Sequence, residues 1–387
     1  MLCSATEWTE GSNVKIGVPK ETAAGERRVA LIPSVVSRLV GSGTQVVVES
    51  GAGAGSFFSD QEYEKAGATM VPSVYGSSDF VVKVQKPSAD EISAFAKGTS
   101  LATTLQPLID HATVKALAEA GVTSFGMDTI PRIARAQSMD VLSSMASLAG
   151  YKAAVMAADS LSKFFPMMMT AAGTIPPAKG LVLGVGVAGL QAIATAKRLG
   201  SVMSAYDVRP VVREQVESLG ATFLEVDLGE LAEDAGGYAR ELSEDAQRKG
   251  RELIHSALKD MDFVITTAAI PGRPAPRLIE AEMVKDMQPG AVIVDLAAES
   301  GGNCELTKPG ETVVEHGVTI LGPLNLPSSM PTHASQMYSR NMLNFINHIV
   351  TDGEVTIDLG DEITKGCLIT HNGKIVHEAT LAAMSRS

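Results

Sequence analysis

The stretch that decides the fold is Leu181-Val-Leu-Gly-Val-Gly-Val-Ala-Gly-Leu-Gln-Ala-Ile-Ala-Thr-Ala-Lys-Arg-Leu-Gly200. Its opening apolar run reads as a buried strand. Gly184, Gly186 and Gly189 follow at the spacing G-x-G-x-x-G, an alanine-rich helical run comes next, and Gly200 closes it. A second apolar run, Val202 to Ala205, leads to Asp207. Strand, glycine turn, helix, strand and acid, in that order, describe a dinucleotide-binding unit. Gly184 permits a tight turn, Gly186 lets the backbone approach a pyrophosphate, and Gly189 lets the helix pack closely on the strand. The helix start at Val187 offers free N–H groups and a partial positive charge to phosphates. Asp207 suits the adenosine ribose hydroxyls, and its charge repels a 2′-phosphate, which favours NAD over NADP. Val208 and Arg209 follow, and the positive Arg209 works against that preference. The competing reading is a tight turn that binds nothing; the flanking strands, helix and acid weigh against it.

Outward from this unit, 387 residues are enough for two domains. Hydrophobic residues make up 45% and charged residues 20%, a balance suited to a soluble globular protein. A net charge of −12 argues against nucleic acid or an anionic membrane surface as direct partners. Cys3, Cys304 and Cys367 lie far apart without metal-ligand spacing, which points to a reducing compartment and no disulfide framework. The first ten residues lack the basic and apolar character of a signal or transit peptide. No run reaches the roughly 18 apolar residues that span a bilayer, so no direct bilayer insertion is expected.

Before the glycine unit, strands are expected at Val14–Pro19, Gln45–Glu49, Phe80–Val84, Ser100–Leu105 and Val122–Phe125. Helices are expected at Pro33–Val40, closed by Gly41, at Asp60–Ala66 and at Ala112–Ala120. Glu21–Arg28 reads as a charged loop, and Gly51–Gly55 as a turn. This alternation predicts a first α/β domain with a mostly parallel sheet. Asp140–Phe165 reads as one long helix rich in small residues and broken at Pro166. Its low charge between Val141 and Ala158 suits a buried contact, as in a homodimer. Met167–Pro177 reads as a loop whose methionines serve packing. Past the glycine unit come strands at Thr222–Val226, Phe263–Thr267, Ala291–Asp295 and Thr319–Leu321. Asp227–Gly250 reads as a mobile acidic loop holding Gly237 and Tyr238, then a helix. Ser335–Val350 is a second long helix, and Asn372-Gly373 signals a type I′ hairpin. The expected fold class is α/β: two Rossmann-like doubly wound parallel-sheet domains, the nucleotide-binding one (140–334) inserted into the other (1–139 and 335–387), joined by two long helices.

The chemistry rests on Pro131-Arg-Ile-Ala-Arg-Ala-Gln-Ser-Met-Asp-Val-Leu-Ser-Ser144. One reading is a helix start with Ser138 as cap and Asp140 complementing the dipole. The other is a polar loop in which Arg132, Arg135, Gln137, Asp140 and Ser143 orient a nicotinamide ring and its carboxamide.

Here the sequence resembles a known family. Arg132, Gln137 and Asp140 fall in the order of the Arg-Gln-Asp loop of the NAD(H)-binding component of proton-translocating transhydrogenase. Ala149-Gly-Tyr151, Met169-Thr-Ala-Ala-Gly173, Pro176-Pro-Ala178, Gly184-Val-Gly-Val-Ala-Gly-Leu190, Ile270-Pro-Gly272 and Gly301-Gly-Asn-Cys304 agree with it, from about Val14 to Val376. The resemblance implies hydride transfer between NAD(H) here and NADP(H) on a partner subunit, coupled to proton movement through a membrane-spanning partner. It implies that Arg132, Gln137, Asp140 and Ser143 hold the nicotinamide nucleotide. It also implies that Tyr238 closes over the site on a mobile loop, and that Asp207 contacts the ribose. Arg135, Gly237 and Ala269, at a strand end, complete the candidate nucleotide contacts. A homodimer is implied, with the chain lying in the cytoplasm, peripheral on the inner membrane, as a separate subunit of the bacterial kind. No metal is expected.

The alternative is an NAD-dependent amino-acid dehydrogenase. Alanine dehydrogenases resemble this chain in Gly17-Val-Pro-Lys-Glu21, and their substrate Arg and Lys match Arg28 and Lys83, which otherwise read as structural, salt-bridged or solvated residues. Their catalytic histidine is matched by Gln106, which cannot exchange the proton that oxidative deamination requires. His111, five residues on, reads as a helix-start residue. A third reading, an NAD sensor without turnover, stays open on sequence.

Overall fold

A computed structural model describes residues 14–227, 243–270 and 272–386. The expected loop residues Gly237 and Tyr238 lie outside the described residues. The chain forms two compact units: one runs up to Ser144 and resumes at Ser328, the other is Met145–Pro327.

The first unit holds an eight-stranded sheet. From edge to edge its strands are Lys374–Ile375, Leu368–His371, Thr123–Gly126, Ser100–Thr103, Phe80–Val82, Lys15–Val18, Gln45–Glu49 and Thr69–Val71. All pairings are parallel except those of the last two strands in the chain. Counting the first six strands in chain order gives 3-2-1-4-5-6, the doubly wound arrangement. Central strands such as Phe80–Val82 are buried at every residue, which is why they read as unbroken apolar runs. The hairpin at Asn372-Gly373 has positive φ at both residues, 50° and 73°, as a type I′ turn requires. The helix Pro331–Ile349 packs in this unit through small and polar residues. Ser335 and Ser339 accept hydrogen bonds from the Val29 and Ile32 amides at 3.0 Å each, and Tyr338 donates to the Lys83 carbonyl at 2.7 Å. A buried irregular segment thereby has its backbone satisfied by side chains.

The second unit holds a seven-stranded sheet: Thr222–Phe223, Val202–Tyr206, Lys179–Leu183, Phe263–Thr266, Val292–Asp295, Val318–Leu321 and the antiparallel edge Thr312–Glu315. The parallel strands repeat the order 3-2-1-4-5-6. Its core gathers Val182, Val185, Ala192, Ile193, Ile265 and Val294.

Several local expectations change. The first long helix is Val141–Ser160, ending before Pro166, because Leu161 and Phe165 turn into the core and Phe165 stacks on Phe263. By length and composition this helix could cross a membrane, contrary to the sequence expectation. Ala153, Ala154 and Ala157 are instead buried in the second core. Met167–Pro177 carries a two-stranded hairpin, Met168–Thr170 with Gly173–Ile175. Its methionines do not pack inside: Met167 is 56% and Met169 79% exposed. Gly41 ends the helix Pro33–Gly41 from within, and the left-handed residue is Gly43, φ 94°. Thr222–Phe223 is shorter than expected. The structure adds a helix, Ala89–Ala94, whose capping box is formed by Ser88 and Glu91.

The charged loop 21–28 is not a solvated one. Glu26 grips Arg28 with two hydrogen bonds of 2.8 and 2.6 Å, and Lys83 lies 2.9 Å from Glu91 and 3.6 Å from Glu21, all largely buried. Burial disfavours the Glu26 anion, but Arg28 and the Gln85 amide outweigh it and hold the carboxyl at about 2, against an ordinary 4.5. A carboxyl depressed in the fold adds stability above its unfolded pKa and loses it as pH falls through the folded one. Glu26→Gln should therefore cost about 3 kcal/mol near neutral pH, and its deficit against the parent should shrink as pH drops from 4.5 to 2. Urea unfolding of both proteins across that range checks this; a deficit independent of pH would refute it.

Candidate functional site

In the second unit the site is built at the carboxyl end of Lys179–Leu183, where the strand order reverses. Gly184 has φ 93°, a left-handed turn that avoids a Cβ clash with Ala268 and the Thr267 hydroxyl, each 2.9 Å away. Gly186 precedes the helix Val187–Arg198, and no side chain caps that helix. Nothing lies within 4 Å of the place a Gly186 Cβ would take. The helix start is therefore an open cradle of N–H groups, which fits a pyrophosphate. Gly189 is the tightest point: a Cβ there would stand 2.1 Å from the Gly184 carbonyl oxygen.

Asp207 is 22 residues on from Val185 and accepts its N–H at 2.7 Å. The same carboxylate takes the Arg209 backbone N–H, Nε and Nη2, each at 2.9 Å. Asp207 and Arg209 are thus brought together, and a ribose diol has to displace guanidinium contacts to reach the carboxylate. Val208 packs partly buried on the core, and Ala269 is exposed at the strand end. Thr267, which sequence reasoning missed, donates from its hydroxyl to the Gly184 carbonyl at 2.8 Å. The only signal for it was its place at a strand's carboxyl end.

In the first unit, Ala134–Met139 forms a 3-10 segment with Ala136 and Met139 buried. Arg132, Arg135 and Gln137 are exposed. Asp140, not Ser138, caps the next helix: its carboxylate accepts from the Ser143 N–H at 2.9 Å and hydroxyl at 2.6 Å. Ser138 contributes its carbonyl instead, accepting from the amides of Asn341 at 2.8 Å and Asn344 at 3.0 Å. Arg135 pairs with Asp361 at 2.7 Å, and His348 meets the other oxygen of that carboxylate at 2.9 Å. Burial works against the Asp361 anion, but the Thr364 N–H, Arg135 and His348 prevail and hold its carboxyl well below the usual range. Arg135 is therefore engaged in anchoring the segment. Gln137 makes no side-chain hydrogen bond among the described residues, which leaves its amide available. Among the described residues no cluster of three or more His, Cys, Asp or Glu could hold a metal.

Comparison with known proteins adds the following. Residues 17–149 match the family described as alanine dehydrogenase/PNT, N-terminal domain, and 153–378 its C-terminal domain. The chain is 48% identical over 378 residues to an NAD(P) transhydrogenase subunit alpha chain of Rhodospirillum rubrum, covering 95% of this chain and 98% of that one. It is similar to the crystal structure of transhydrogenase from Sinorhizobium meliloti, with a TM-score of 0.86, 45% identity, and coverage of 94% of this chain and 100% of that one. The alanine dehydrogenase of Bacillus subtilis is more distant, 30% identical over 376 residues, 94% of this chain and 93% of that one.

The two glycines of the cradle should separate under substitution. Gly189→Ala forces the helix off the turn and should cost about 1–3 kcal/mol of stability as well as dinucleotide binding. Gly186→Ala meets no protein atom and should keep stability within about 0.5 kcal/mol, while weakening NADH binding. Thermal melts and NADH titrations decide; equal behaviour of the two variants would contradict this geometry.

Proposed function

The chain belongs to the alanine dehydrogenase/PNT family, and on that premise we propose that it is the NAD(H)-binding component of a proton-translocating transhydrogenase. Hydride passes between NAD(H) held here and NADP(H) held by a partner subunit, and a membrane-spanning partner couples the transfer to proton movement. The nucleotide supplies the hydride chemistry. The chain binds, orients and keeps charge in place. Gly184, Gly186, Val187 and Gly189 take the pyrophosphate, and Asp207 and Arg209 the ribose. Arg132, Gln137, Asp140 and Ser143 take the nicotinamide end.

Gln106 carries the choice against amino-acid oxidation. It sits just after the strand Ser100–Thr103 in a left-handed conformation, φ 51°, with its N–H donating to Asp128 at 2.7 Å. An amide there offers no proton exchange, and hydride transfer between two nicotinamide rings requires none. His111 opens the helix His111–Glu119, with Nε2 3.2 Å from the Leu108 carbonyl oxygen. Arg28 and Lys83 are paired with internal carboxylates.

The exposed Met167, Met169 and Ile175 of the hairpin, with the small-residue helix Val141–Ser160, support a homodimer. The net charge of −12 supports protein partners over nucleic acid. The reading places the chain in the cytoplasm, peripheral on the inner membrane through its partners, with transfer between opposite ring faces (Si-specific/Re-specific).

Asp207 sets the cofactor preference, because a carboxylate facing a 2′-phosphate weakens binding by like-charge repulsion. Titration of the protein should show NADH binding more tightly than NADPH; the reverse order would sink the assignment.

Gln137 should matter more to transfer than to NADH affinity. Gln137→Asn keeps the amide and shortens its reach. NADH binding should stay within a few-fold, while single-turnover transfer to a partner-bound NADP analogue slows on the order of a hundredfold, the usual result of misaligned reactants. Unchanged transfer with lost binding, or robust turnover of L-alanine with NAD by the parent, would overturn the reading.

A further inference from the structure

Gly301-Gly-Asn-Cys304 is far in sequence from the glycine turn, yet the fold returns it to the same strand ends. Asn303 is fully buried. Its Oδ1 accepts from the Ala268 N–H at 3.0 Å, and its Nδ2 donates to the Ala268 carbonyl at 2.9 Å and to the Pro276 carbonyl at 2.8 Å. The amide side chain thus pairs with the Ala268 peptide in both directions, as a neighbouring strand would. Asn303 is itself held rigidly. Its backbone N–H and that of Cys304 donate to Asp295 Oδ2 at 2.8 and 3.0 Å. Asp295 is buried and is also held by Thr266 and Thr307 hydroxyls at 2.8 and 2.7 Å. Gly302, φ 79°, leaves the room, since a Cβ there would stand 2.9 Å from Asp295 Oδ2.

The peptide so fixed is the one that faces the turn. Ala268 N is 2.9 Å from the Cβ position of Gly184, and the adjoining Thr267 hydroxyl holds the Gly184 carbonyl at 2.8 Å. Phe263–Thr266 is the strand across the order reversal from Lys179–Leu183. Its continuation, 267–270, is therefore one wall of the crevice where a doubly wound sheet takes its ligand.

We propose that Asn303 and Thr267 are positioning residues for the dinucleotide: they lock this wall against the glycine turn and so set the width of the crevice. The proposal rests on the NAD(H)-binding reading above. Every bond involved lies within the second unit, and the donor and acceptor pattern demands an amide at 303. A carboxylate keeps the acceptor but turns negative charge on two carbonyl oxygens.

The test compares NADH affinity of the parent, Asn303→Asp and Thr267→Val in the full chain, with thermal melts alongside. Asn303→Asp should bind NADH on the order of tenfold more weakly near neutral pH and regain affinity relative to the parent as pH falls, because its protonated carboxyl recovers a donor. Asp295, the other titratable contact, is common to both proteins and cancels in the ratio. A purely structural role would lower the melting temperature without this pH-dependent return. Thr267→Val is nearly isosteric and should fold like the parent while weakening NADH several-fold, so it decides the matter if Asn303→Asp does not fold. Parent-like NADH affinity in Thr267→Val, or in a folded Asn303→Asp at every pH, would overturn the proposal and leave the NAD(H) reading standing. No NADH binding by the parent would overturn both.

Discussion

The second unit depends on one close approach. The first turn of the helix Val187–Arg198 comes so near the strand end that a methyl at Gly189 would stand 2.1 Å from the Gly184 carbonyl oxygen. That carbonyl cannot move away, because the Thr267 hydroxyl holds it, and the turn between them is pinned by Asp207 through the Val185 N–H. A helix seated this closely presents its uncapped N–H groups at a fixed point beside the sheet. The partial positive charge there is then preorganised toward an anion rather than assembled on binding.

The two units share a strand order but use their strand ends differently. In the first unit the segment after Lys15–Val18 and the residue after Phe80–Val82 bring Glu21 and Lys83 together, with Glu91, Glu26 and Arg28 close by. Buried charges are costly unless paired, and here the chain supplies the partners itself. Burial pushes the Glu21 carboxyl up, Lys83 notwithstanding, whereas Glu91 and Glu26 are held down by their cations. An incoming carboxylate would have to compete with partners already in contact. In the second unit the corresponding turn has no side chain in it, and the backbone N–H groups stay available. One arrangement serves the fold, the other a ligand.

Much of this was legible in the sequence because it depends on periodicity and on glycine. The spacing of Gly184, Gly186 and Gly189, the acid at Asp207 and the Asn372-Gly373 turn are local rules, and the chain obeys them. The losses have physical causes. Six-residue helices such as Ala89–Ala94 carry too few apolar repeats to show a period, though a capping box marks this one. Met167 and Met169 read as packing because methionine is usually buried, and only tertiary placement shows that they project from a hairpin. Arg135 reads as a ligand contact, but its carboxylate partner Asp361 is 226 residues away. Asn303 stands out only as one letter of a longer motif, since what it holds lies 35 residues earlier. Long-range polar pairing leaves no periodic trace.

The same polar pairing explains how an exposed segment can be precise. Ala134–Met139 is short, and a segment of this kind alone would sample many conformations. It is held on both sides of Gln137: the Ser138 carbonyl by Asn341 and Asn344, and Arg135 by the Asp361 carboxylate. Two buried apolar anchors, Ala136 and Met139, fix its depth, and Asp140 is occupied in capping the following helix. What remains unengaged, among the described residues of this segment, is the Gln137 amide, a neutral group that both donates and accepts. Because its neighbours are tied into the Pro331–Ile349 helix and the Asp361 cap, its ordering cost is met during folding rather than during reaction, which is the condition under which alignment contributes to rate. The network that looks merely structural around this loop is therefore what allows a single uncharged side chain to act at a defined place.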